Sequence, residues 1–325
     1  MAEPLSLALL GLVSAAILLD LLIGDPRCLP HPVVGMGRLI AVLERAWNHG
    51  SPRARRLKGL LLTALVVAGV FLLAWLVLRG LAWIHPALAL VAELWLLATT
   101  LAIKGLRDAA LAVAVPLARG DLTEARLALG QVVGRDTATL DEAEITRGAV
   151  ESVAENSVDG ITAPLFWALL GGAPLALAYK AVNTLDSMVG YRNARYADFG
   201  YASARLDDLA NWLPARLTAL AMWLGALALP AARCRGALAS VVREVPRHAS
   251  PNSGWPEAMM ARLLGVRLGG TNHYAGVPSH RATLGEPLEA LGVTHIDRAI
   301  RHMHAGWLLF LLMMAGLVLL GELLR

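Results

Sequence analysis

The sequence predicts an all-α polytopic integral membrane protein. Of its 325 residues 57% are hydrophobic, and the mean hydropathy is +0.56, whereas an ordinary globular domain has about 45–50% apolar residues. Several apolar runs approach the roughly 20 residues that cross the hydrocarbon core of a bilayer as a helix. Four clear runs of this kind favour membrane spans over the buried core helices of a soluble protein.

The four clearest membrane spans are the runs 5–24, 59–78, 86–103 and 305–324. We expect the first to be a retained helix and not a signal peptide, because its N-terminal flank carries no Lys or Arg and no small-x-small cleavage site follows it. The second and third form a predicted hairpin with a short outer turn at 79–85. Residues 25–58 hold seven Lys and Arg against two acids, which predicts that this segment is cytoplasmic.

Two further apolar runs, 161–178 and 214–232, are ambiguous. The first is interrupted by the sequence Gly171-Gly172-Ala173-Pro174, which an uninterrupted helix does not favour. Residues 233–304 hold nine Arg against five acids, which again favours the cytoplasm, so either both runs cross or neither does. We favour broken or re-entrant segments over two crossings, because non-helical backbone at membrane depth is tolerated where protein or a cavity surrounds it.

The remaining chain predicts two cytoplasmic helical segments, about 104–160 and 233–304, within a single membrane domain covering 1–325. Thr139 and Glu142 have the spacing of a capping box that opens a helix at 140–155. The net charge of +4 does not indicate nucleic acid, because the arginines are mostly single and flank apolar runs. Cys28 and Cys234 lie outside any CxxC or His/Cys pattern, so no zinc site is expected.

Charged residues near these apolar segments mark the expected site, because an ionisable group at membrane depth costs roughly 2.5–3.5 kcal/mol. At the end of the first run, Asp20 is followed by Asp25, Arg27 and His31 in a turn that three prolines and a glycine stiffen. These side chains are either anchors at the membrane face or ligands for a bound molecule, and the residues alone favour neither.

The strongest pattern lies on the predicted cytoplasmic helix. Glu144, Arg147, Glu151 and Glu155 follow spacings of three, four and four, so they project from one face. Two carboxylates four residues apart repel each other unless a cation lies between them, and Mg²⁺ prefers carboxylates combined with water and phosphate. A solvated acidic face is the alternative, but Asn156 and Asp159 follow and the chain then turns apolar, which favours a site.

Two later segments carry amides, acids and cations. Lys180, Asn183 and Ser187 share one helical face next to Thr184 and Asp186, and a Lys with an Asn can orient a phosphate. The second segment also combines a cation, two acids and an amide: Arg205, Asp207, Asp208 and Asn211. No P-loop, GxGxxG, GxSxG or HExxH motif occurs, so these residues name no standard nucleotide fold or catalytic triad.

The strings 250–257 and 268–274 are rich in Gly, Pro, Asn and Ser, and therefore predict loops. Within them Trp255 and Tyr274 are suited to pack on a large planar ligand. A plain loop is the alternative interpretation.

Four strings carry a resemblance to a known family: GDPRCLPHPV, GRDTATLDEAEITRGAVESVAENSVDGITAPLFWALLGG, YKAVNTLDSMVGYRNARYADFGYASARLDDLANWLPARLTAL and SPNSGWPEAMMARLLGVRLGG. From about residue 20 to 272 the chain resembles the adenosylcobinamide-phosphate synthase family of cobalamin biosynthesis. The resemblance implies a polytopic protein of the bacterial inner membrane. It also implies that adenosylcobyric acid, a corrinoid, is joined to (R)-1-aminopropan-2-ol phosphate or threonine phosphate in an ATP-dependent amide-forming step.

That chemistry leads us to expect ATP and Mg²⁺ as cofactors, and an active site that faces the cytoplasm. Membrane lipid and other membrane enzymes of cobalamin assembly are the expected neighbours, and no nucleic acid is expected. The expected metal ligands are Glu151, Glu155 and Asp159. The expected contacts of the phosphates and of the corrinoid are Lys180, Arg192, Arg205, Asp25, Arg27, His31, Asn252, Trp255 and Asn272. Asp186 or Asp207 would accept a proton, and Asn156 and Asn183 would orient the reacting amide.

Two other functions fit a membrane protein of this kind. A sensory role related to regulators of β-lactamase induction is the first, and a small-molecule transporter is the second. The full set of polar strings favours the synthase over a regulator. No paired repeat is evident along the chain, which argues against a transporter.

Overall fold

The computed structural model describes residues 3–24 and 31–324 of the chain. Within them the chain forms, in order, α1 (Leu7–Ile23), α2 (Pro32–Trp47), α3 (Pro52–Ile84), α4 (Pro86–Ala98), α5 (Ile103–Ala118), α6 (Leu122–Gly130), α7 (Glu142–Ser157), α8 (Ala163–Val189), α9 (Tyr201–Ala210), α10 (Trp212–Ala226), α11 (Ala237–Glu244), α12 (Gly254–Leu264), strands β1 (Leu268–Tyr274) and β2 (Val277–Leu284), and α13 (Thr294–Leu323). The predicted all-α fold is confirmed, with one antiparallel hairpin added to it.

Four helical stretches among the described residues are long and apolar enough to cross a membrane: Pro52–Ile84, Pro86–Ala118, Glu142–Val189 and Thr294–Leu323. In the first, only 22% of the most apolar window is buried, and side chains such as Leu61 and Leu73 are more than half exposed. Exposed leucines at this density need an apolar surrounding, so the chain is a polytopic membrane protein.

Three of these stretches contain or nearly contain the predicted runs 59–78, 86–103 and 305–324, and only the fourth differs from the prediction. The run at 5–24 forms α1, whose 17 residues extend about 25 Å at 1.5 Å per residue, less than the roughly 30 Å of hydrocarbon. The ambiguous run at 161–178 instead lies within the stretch Glu142–Val189. The apolar run 5–24 is longer than helix α1 because it includes Leu5 and Gly24, which flank the helix.

The predicted interruption of the run 161–178 is confirmed. Gly171 and Gly172 have non-helical backbone angles inside α8, and Gly172 has a φ of +62°. The positive φ requires glycine here, and a Cβ at Gly172 would in addition displace the end of the Glu93 side chain of α4. The run at 214–232 forms the shorter α10, which is not among the candidate spans. That neither run crosses the membrane stays a prediction.

The chain divides into two compact units, and the first comprises Met1–Ile103, Ala163–Asn211 and Met314–Arg325. Its core joins α2, α3 and α8 around the buried side chains of Ile40, Leu62, Leu185 and Phe199. Asp20, which is 2% exposed, accepts the Ile103 backbone N–H at 3.0 Å through Oδ2. This charged residue of an apolar helix therefore satisfies a backbone donor at the start of α5.

The second unit comprises Lys104–Thr162 and Trp212–Met313, and it contains both segments predicted to be cytoplasmic, 104–160 and 233–304. Helix α12 packs against α7, α10 and α11, and the hairpin lies against α7 and α12. Buried Ile145, Met259, Leu263, Leu268 and Leu284 form part of its interior. This arrangement fixes the functional face of α7 next to α12 and the hairpin.

Helix α7 begins later than its predicted start at 140. Asp141 is the N-cap, its carboxylate accepts the Glu144 N–H at 2.8 Å, and Glu144 Oε2 accepts the Asp141 N–H at 3.1 Å. A carboxylate N-cap outcompetes the threonine two residues earlier because both reciprocal bonds then form. The predicted Thr139 capping box is therefore wrong, and Glu144 forms the capping box with Asp141 instead.

The loop expected at 268–274 is a strand, and this expectation is corrected. Strands β1 and β2 pair from Leu268 with Leu284 to Tyr274 with Val277, with a bulge between Leu268 and Gly270. The glycines of the string belong to that bulge, which explains why a strand carries turn-forming residues.

Candidate functional site

A polar cavity of about 140 Å³ lies in the second unit. Its wall combines α7, the loop that follows α6, α12 and the hairpin. The charged residues lining it are Arg135, Glu151, Glu155, Glu257 and Arg281. Two guanidinium groups and three carboxyl groups therefore face one small space.

Helix α7 supplies one wall of the cavity. Glu151 and Glu155, four residues apart, line it together with Asn156, as their common helical face predicted. Glu155 Oε1 accepts a hydrogen bond from the Ser253 hydroxyl at 3.2 Å. The Asn156 amide donates to the Ser152 carbonyl at 2.9 Å, which fixes the orientation of this side chain.

Glu151 is the centre of a buried ionic network. Its Oε2 lies 2.8 Å from Arg135 Nη1, and its Oε1 lies 3.5 Å from Arg147 Nη1. Oε1 also accepts the Gly269 N–H at 2.8 Å. Because the Glu151 and Arg135 side chains are 12% and 5% exposed, the pair is shielded from water, and loss of one partner would leave a buried charge.

The hairpin is attached to the cavity wall by several polar contacts. Arg147 donates to the carbonyl oxygens of Gly269 and Thr271. Both carboxylate oxygens of Asp136 accept backbone N–H groups at the hairpin turn, from Ala275 at 3.1 Å and from Gly276 at 2.7 Å. Tyr274 and Arg281 are thereby held at the cavity, where the Arg281 guanidinium donates to the Tyr274 hydroxyl at 3.0 Å.

Glu257 is the deepest acid of the cavity, at 3% exposed. Burial, together with the charges of Glu155 and Glu151, holds the pKa of Glu257 well above its usual range. His248 Nε2 lies 3.6 Å from Glu257 Oε1, and burial lowers the pKa of His248. Both shifts favour the uncharged forms of the two groups, and an uncharged carboxyl group is able to donate a proton.

The carboxylates expected to hold Mg²⁺ do not form a ready metal site. The described residues contain no group of three or more His, Cys, Asp or Glu side chains placed to hold a metal ion. Glu151 is already engaged by two arginines and a backbone N–H, while Asp159 lies in the π-helical turn Val158–Thr162 and does not line the cavity. These side chains fit Mg²⁺ only where a bound phosphate supplies further oxygens.

A separate cluster of aspartates and amides lies in the first unit. Asp207 Oδ2 accepts a hydrogen bond from Asn211 Nδ2 at 3.1 Å, and Asn183 also bonds its carboxyl group. Burial raises the pKa of Asp207 to about 7, and the nearby charge of Asp186 adds to the shift. A carboxyl that titrates near neutrality suits a general base, but the assignment of Asp186 or Asp207 as the proton acceptor stays a prediction.

This pKa leads to a pH-dependent stability. The folded state favours protonated Asp207, so its contribution is complete below the ordinary pKa of 3.8 and is lost as the pH rises through about 7. Between pH 6 and pH 8 the loss is on the order of 1 kcal/mol. We expect the melting temperature of the detergent-solubilised protein to fall over this interval by a few degrees, and we expect Asp207→Asn to abolish most of that fall.

The matched control is Asp208→Asn, the same change at the neighbouring residue. Asp208 is paired with Arg205 at 3.3 Å, and its charge is the smallest of the influences on Asp207, so this variant should keep most of the pH dependence. Equal pH dependence in wild type and in Asp207→Asn would contradict the assignment.

The other predicted contact residues that the structure describes do not line the cavity. Asp25 and Arg27 lie outside the described residues. His31 is the N-cap of α2 and accepts the Val33 N–H through Nδ1. Asn252 Oδ1 accepts a hydrogen bond from Arg216 at 3.4 Å, and the same guanidinium lies over the ring of Trp255. Neither residue is among those that line the cavity.

Two predicted phosphate ligands, Arg192 and Arg205, are exposed in the first unit, whereas Lys180 is half-buried there. Asn272, in contrast, lies beside the cavity, where its Oδ1 accepts a hydrogen bond from Arg135 Nη1 at 2.6 Å. The structure therefore groups Glu151, Glu155, Asn156 and Asn272 in one place, and it groups Asp186, Asp207 and Asn183 in another.

Three charged residues of the cavity were not among the predicted site residues: Arg135, Glu257 and Arg281. Arg135 lies in the string GRDTATLDEAEI and Glu257 in the apolar helix GWPEAMMARLL. An acid within an apolar helix was the signal that could have identified Glu257. Arg281 has no comparable local signal, because its position follows from the hairpin pairing.

The family model described as "CobD/Cbib protein" matches residues 13–303. The chain is 51% identical to a protein named cobalamin biosynthesis protein CobD of Halalkalibacterium halodurans, with 94% of this chain and 96% of that protein covered. It is also 51% identical to the CobD protein of Geobacter metallireducens, with 94% and 95% covered.

A protein named cobalamin biosynthesis protein CbiB of Salmonella typhimurium is 45% identical, with 88% of this chain and 90% of that protein covered. No solved structure gives a significant match. The matched range contains every described charged residue of the cavity.

Proposed function

Because this chain belongs to the CobD/CbiB family of cobalamin biosynthesis, we propose that it is the membrane enzyme that makes adenosylcobinamide phosphate. In this proposal it joins a carboxyl group of adenosylcobyric acid to the amine of (R)-1-aminopropan-2-ol phosphate or threonine phosphate, and ATP drives the reaction. The observation that supports it best is the cavity in which Glu151, Glu155, Glu257, Arg135 and Arg281 meet.

The proposed chemistry begins with activation of an unreactive carboxylate. A carboxylate oxygen of the corrinoid attacks the γ-phosphorus of ATP, the bond to the bridging oxygen of ADP breaks, and an acyl phosphate forms. The amine nitrogen then attacks the acyl carbon, loses one proton and displaces inorganic phosphate. The net change is amide, ADP and phosphate formed from acid, amine and ATP.

This chain supplies electrostatic groups suited to those steps. Guanidinium groups match the oxygens of a phosphate, and Arg135 and Arg281 are the described cationic side chains that line the cavity. A carboxylate accepts the proton that the ammonium group releases, a role that Glu155 can perform at the cavity and that the sequence assigned to Asp186 or Asp207. Mg²⁺ belongs to the proposal as the partner of the nucleotide phosphates, which would supply most of its oxygen ligands.

We also propose that the enzyme lies in the bacterial inner membrane with its active site facing the cytoplasm. The excess of Lys and Arg in residues 25–58 and 233–304 supports this orientation, and ATP is available on that side. Handover of intermediates to other membrane enzymes of cobalamin assembly stays a further expectation.

Mass spectrometry tests the proposal directly. Detergent-purified protein is incubated with adenosylcobyric acid, ATP, Mg²⁺ and aminopropanol phosphate, and in parallel with threonine phosphate. We expect a corrinoid product heavier by the amine minus one water, with equimolar ADP, only when all components are present. The control replaces ATP with ADP. Folded protein that forms no product with either amine would contradict the proposal and favour the regulatory role.

A further inference from the structure

We propose that the cavity of the second unit is the binding site of the phosphorylated amine, with its phosphate against Arg135 and Arg281 and its ammonium group against Glu155. This inference rests on the proposed function, because it assigns one substrate of that reaction to these residues. It differs from the sequence-based expectation, which assigned phosphate binding to Lys180, Arg192 and Arg205.

The size of the cavity favours the small substrate. One water molecule needs roughly 10–15 Å³ of such space, so a cavity of about 140 Å³ has room for about ten water-sized groups. An amino-alcohol phosphate has about nine non-hydrogen atoms, which matches this room, whereas ATP has about three times as many and a corrinoid many more. The larger substrates would extend outside the cavity.

Arg135 supplies the strongest evidence that an anion binds here. Its side chain is 5% exposed, and Nη1 donates to Glu151 and Asn272. Nε and Nη2 are buried without a hydrogen-bond partner among the described residues, and so is Nδ2 of Asn272. Buried donors left unpaired cost about 1–3 kcal/mol each, and more when charged, so an oxyanion that accepts from them is the expected partner.

Arg281 provides a second cation in the lining of the same cavity. Its guanidinium is held by the Tyr274 hydroxyl at 3.0 Å and lines the cavity from β2. Arginine presents planar donors that match the oxygens of a phosphate. Two guanidinium groups from separate elements thus converge on the space where one phosphate can lie.

The carboxyl groups of the cavity explain why an amine accompanies the phosphate. Glu151 is compensated by Arg135 and Arg147, but Glu155 forms no salt bridge among the described residues and accepts only a neutral hydroxyl bond from Ser253. An ammonium group would supply the missing positive charge. A nucleotide triphosphate has no such group, and its oxygens would lie next to Glu155 and Glu257.

Steady-state kinetics with each substrate varied in turn test the assignment, using the variants Arg281→Gln and Glu155→Gln. A lost charge-assisted hydrogen bond costs about 1.5–3 kcal/mol, so we expect the KM for aminopropanol phosphate to rise about tenfold or more in each. The KM values for ATP and for the corrinoid are expected to change less than about twofold. A rise confined to the KM for ATP would show that the cavity holds the nucleotide and would overturn the inference.

A combined change of substrate and protein identifies the phosphate contact. Wild type is expected to prefer aminopropanol phosphate strongly over aminopropanol, which lacks the phosphate. Arg281→Gln should lose most of that preference, because the removed guanidinium and the removed phosphate are partners in one interaction. Arg281→Lys, which keeps the charge without the planar donors, should retain part of it. Full retention of the preference in Arg281→Gln would contradict the inference.

Arg235→Gln is the matched control, because Arg235 is an exposed arginine of the same unit that lines a different cavity. We expect its three KM values to equal those of wild type. If wild-type protein forms no product at all, calorimetric titration with aminopropanol phosphate alone still tests the inference. Binding to wild type but not to Arg281→Gln would then support the site although the proposed reaction had failed, and equal binding to both would contradict the site.

Discussion

Glu151→Gln is expected to reduce the rate of product formation to below about 1% of wild type. The substitution removes the charge that compensates Arg135 at 2.8 Å and Arg147 at 3.5 Å, and it weakens the bond that holds the Gly269 N–H. The hairpin and Arg135 therefore shift relative to α7, and a displacement of about 1 Å in a site can cost on the order of a hundredfold in rate. The measurement is the initial rate of corrinoid product by mass spectrometry.

A double variant separates this effect from simple loss of folding. Breaking a buried ion pair on one side costs about 3–5 kcal/mol, whereas replacing both partners is often nearly neutral. Glu151→Gln/Arg135→Gln should therefore recover much of the melting temperature that Glu151→Gln loses. We expect the double variant to remain inactive, because the anion-binding guanidinium is then absent as well.

The control for both is Glu142→Gln, which makes the same chemical change at an exposed position of the first turn of α7. Surface substitutions of this kind usually alter stability by less than about 0.5 kcal/mol, and the rate should equal that of wild type. If Glu151→Gln kept a near-normal rate, or if the double variant regained activity together with stability, Glu151 would have no role in the reaction beyond folding.

The local features of the site could be predicted from the sequence. Helical periodicity places Glu151 and Glu155 on one face whatever the surrounding fold, and the structure puts both in the cavity. The break at Gly171 and Gly172 was also predictable, since glycine followed by proline is a local signal. Long apolar runs identified the membrane protein, although the flanking turns of the first run made it look longer than its helix.

The rest of the site depends on contacts between distant residues. Arg135 meets Glu151 and Asn272 across sequence separations of 16 and 137 residues, and no spacing rule links positions that far apart. Arg281 reaches the cavity because β2 pairs with β1 in one particular register. The sequence did not predict β1, because the glycines of its bulge favour a loop. The predicted phosphate ligands Lys180, Arg192 and Arg205 do not line this cavity, and their role stays a prediction.

Another long-range contact, in the first unit, makes Gly59→Ala the second change with a large expected effect. Gly59 lies on α3, and a Cβ there would collide with the carbonyl oxygen of Phe199 and lie 2.7 Å from its carbonyl carbon. Phe199 is fully buried, and the obstructing atoms are backbone, so no rotamer change relieves the collision. Helix α3 would have to move away from the segment before α9.

Overpacking of this kind costs typically 1–3 kcal/mol and sometimes more, and the rigid neighbour places this substitution at the upper end. A nearby polar contact would be disturbed as well, because the Thr63 hydroxyl donates to the Gly59 carbonyl at 2.9 Å and lies 2.9 Å from the Ser203 hydroxyl. We expect the melting temperature in detergent to fall by roughly 5–10 °C, with a lower yield of monodisperse protein in gel filtration.

Gly69→Ala is the matched control, because it adds the same methyl group to the same helix where nothing lies within 4 Å. Alanine is favoured over glycine inside a helix by about 1 kcal/mol, so the melting temperature should stay equal or rise. A lower melting temperature in Gly59→Ala, together with an equal or higher one in Gly69→Ala, would show that Gly59 is required by the close approach of α3 to Phe199 and not by helix propensity. Equal melting temperatures in the two variants would mean that α3 does not make this contact in the membrane protein.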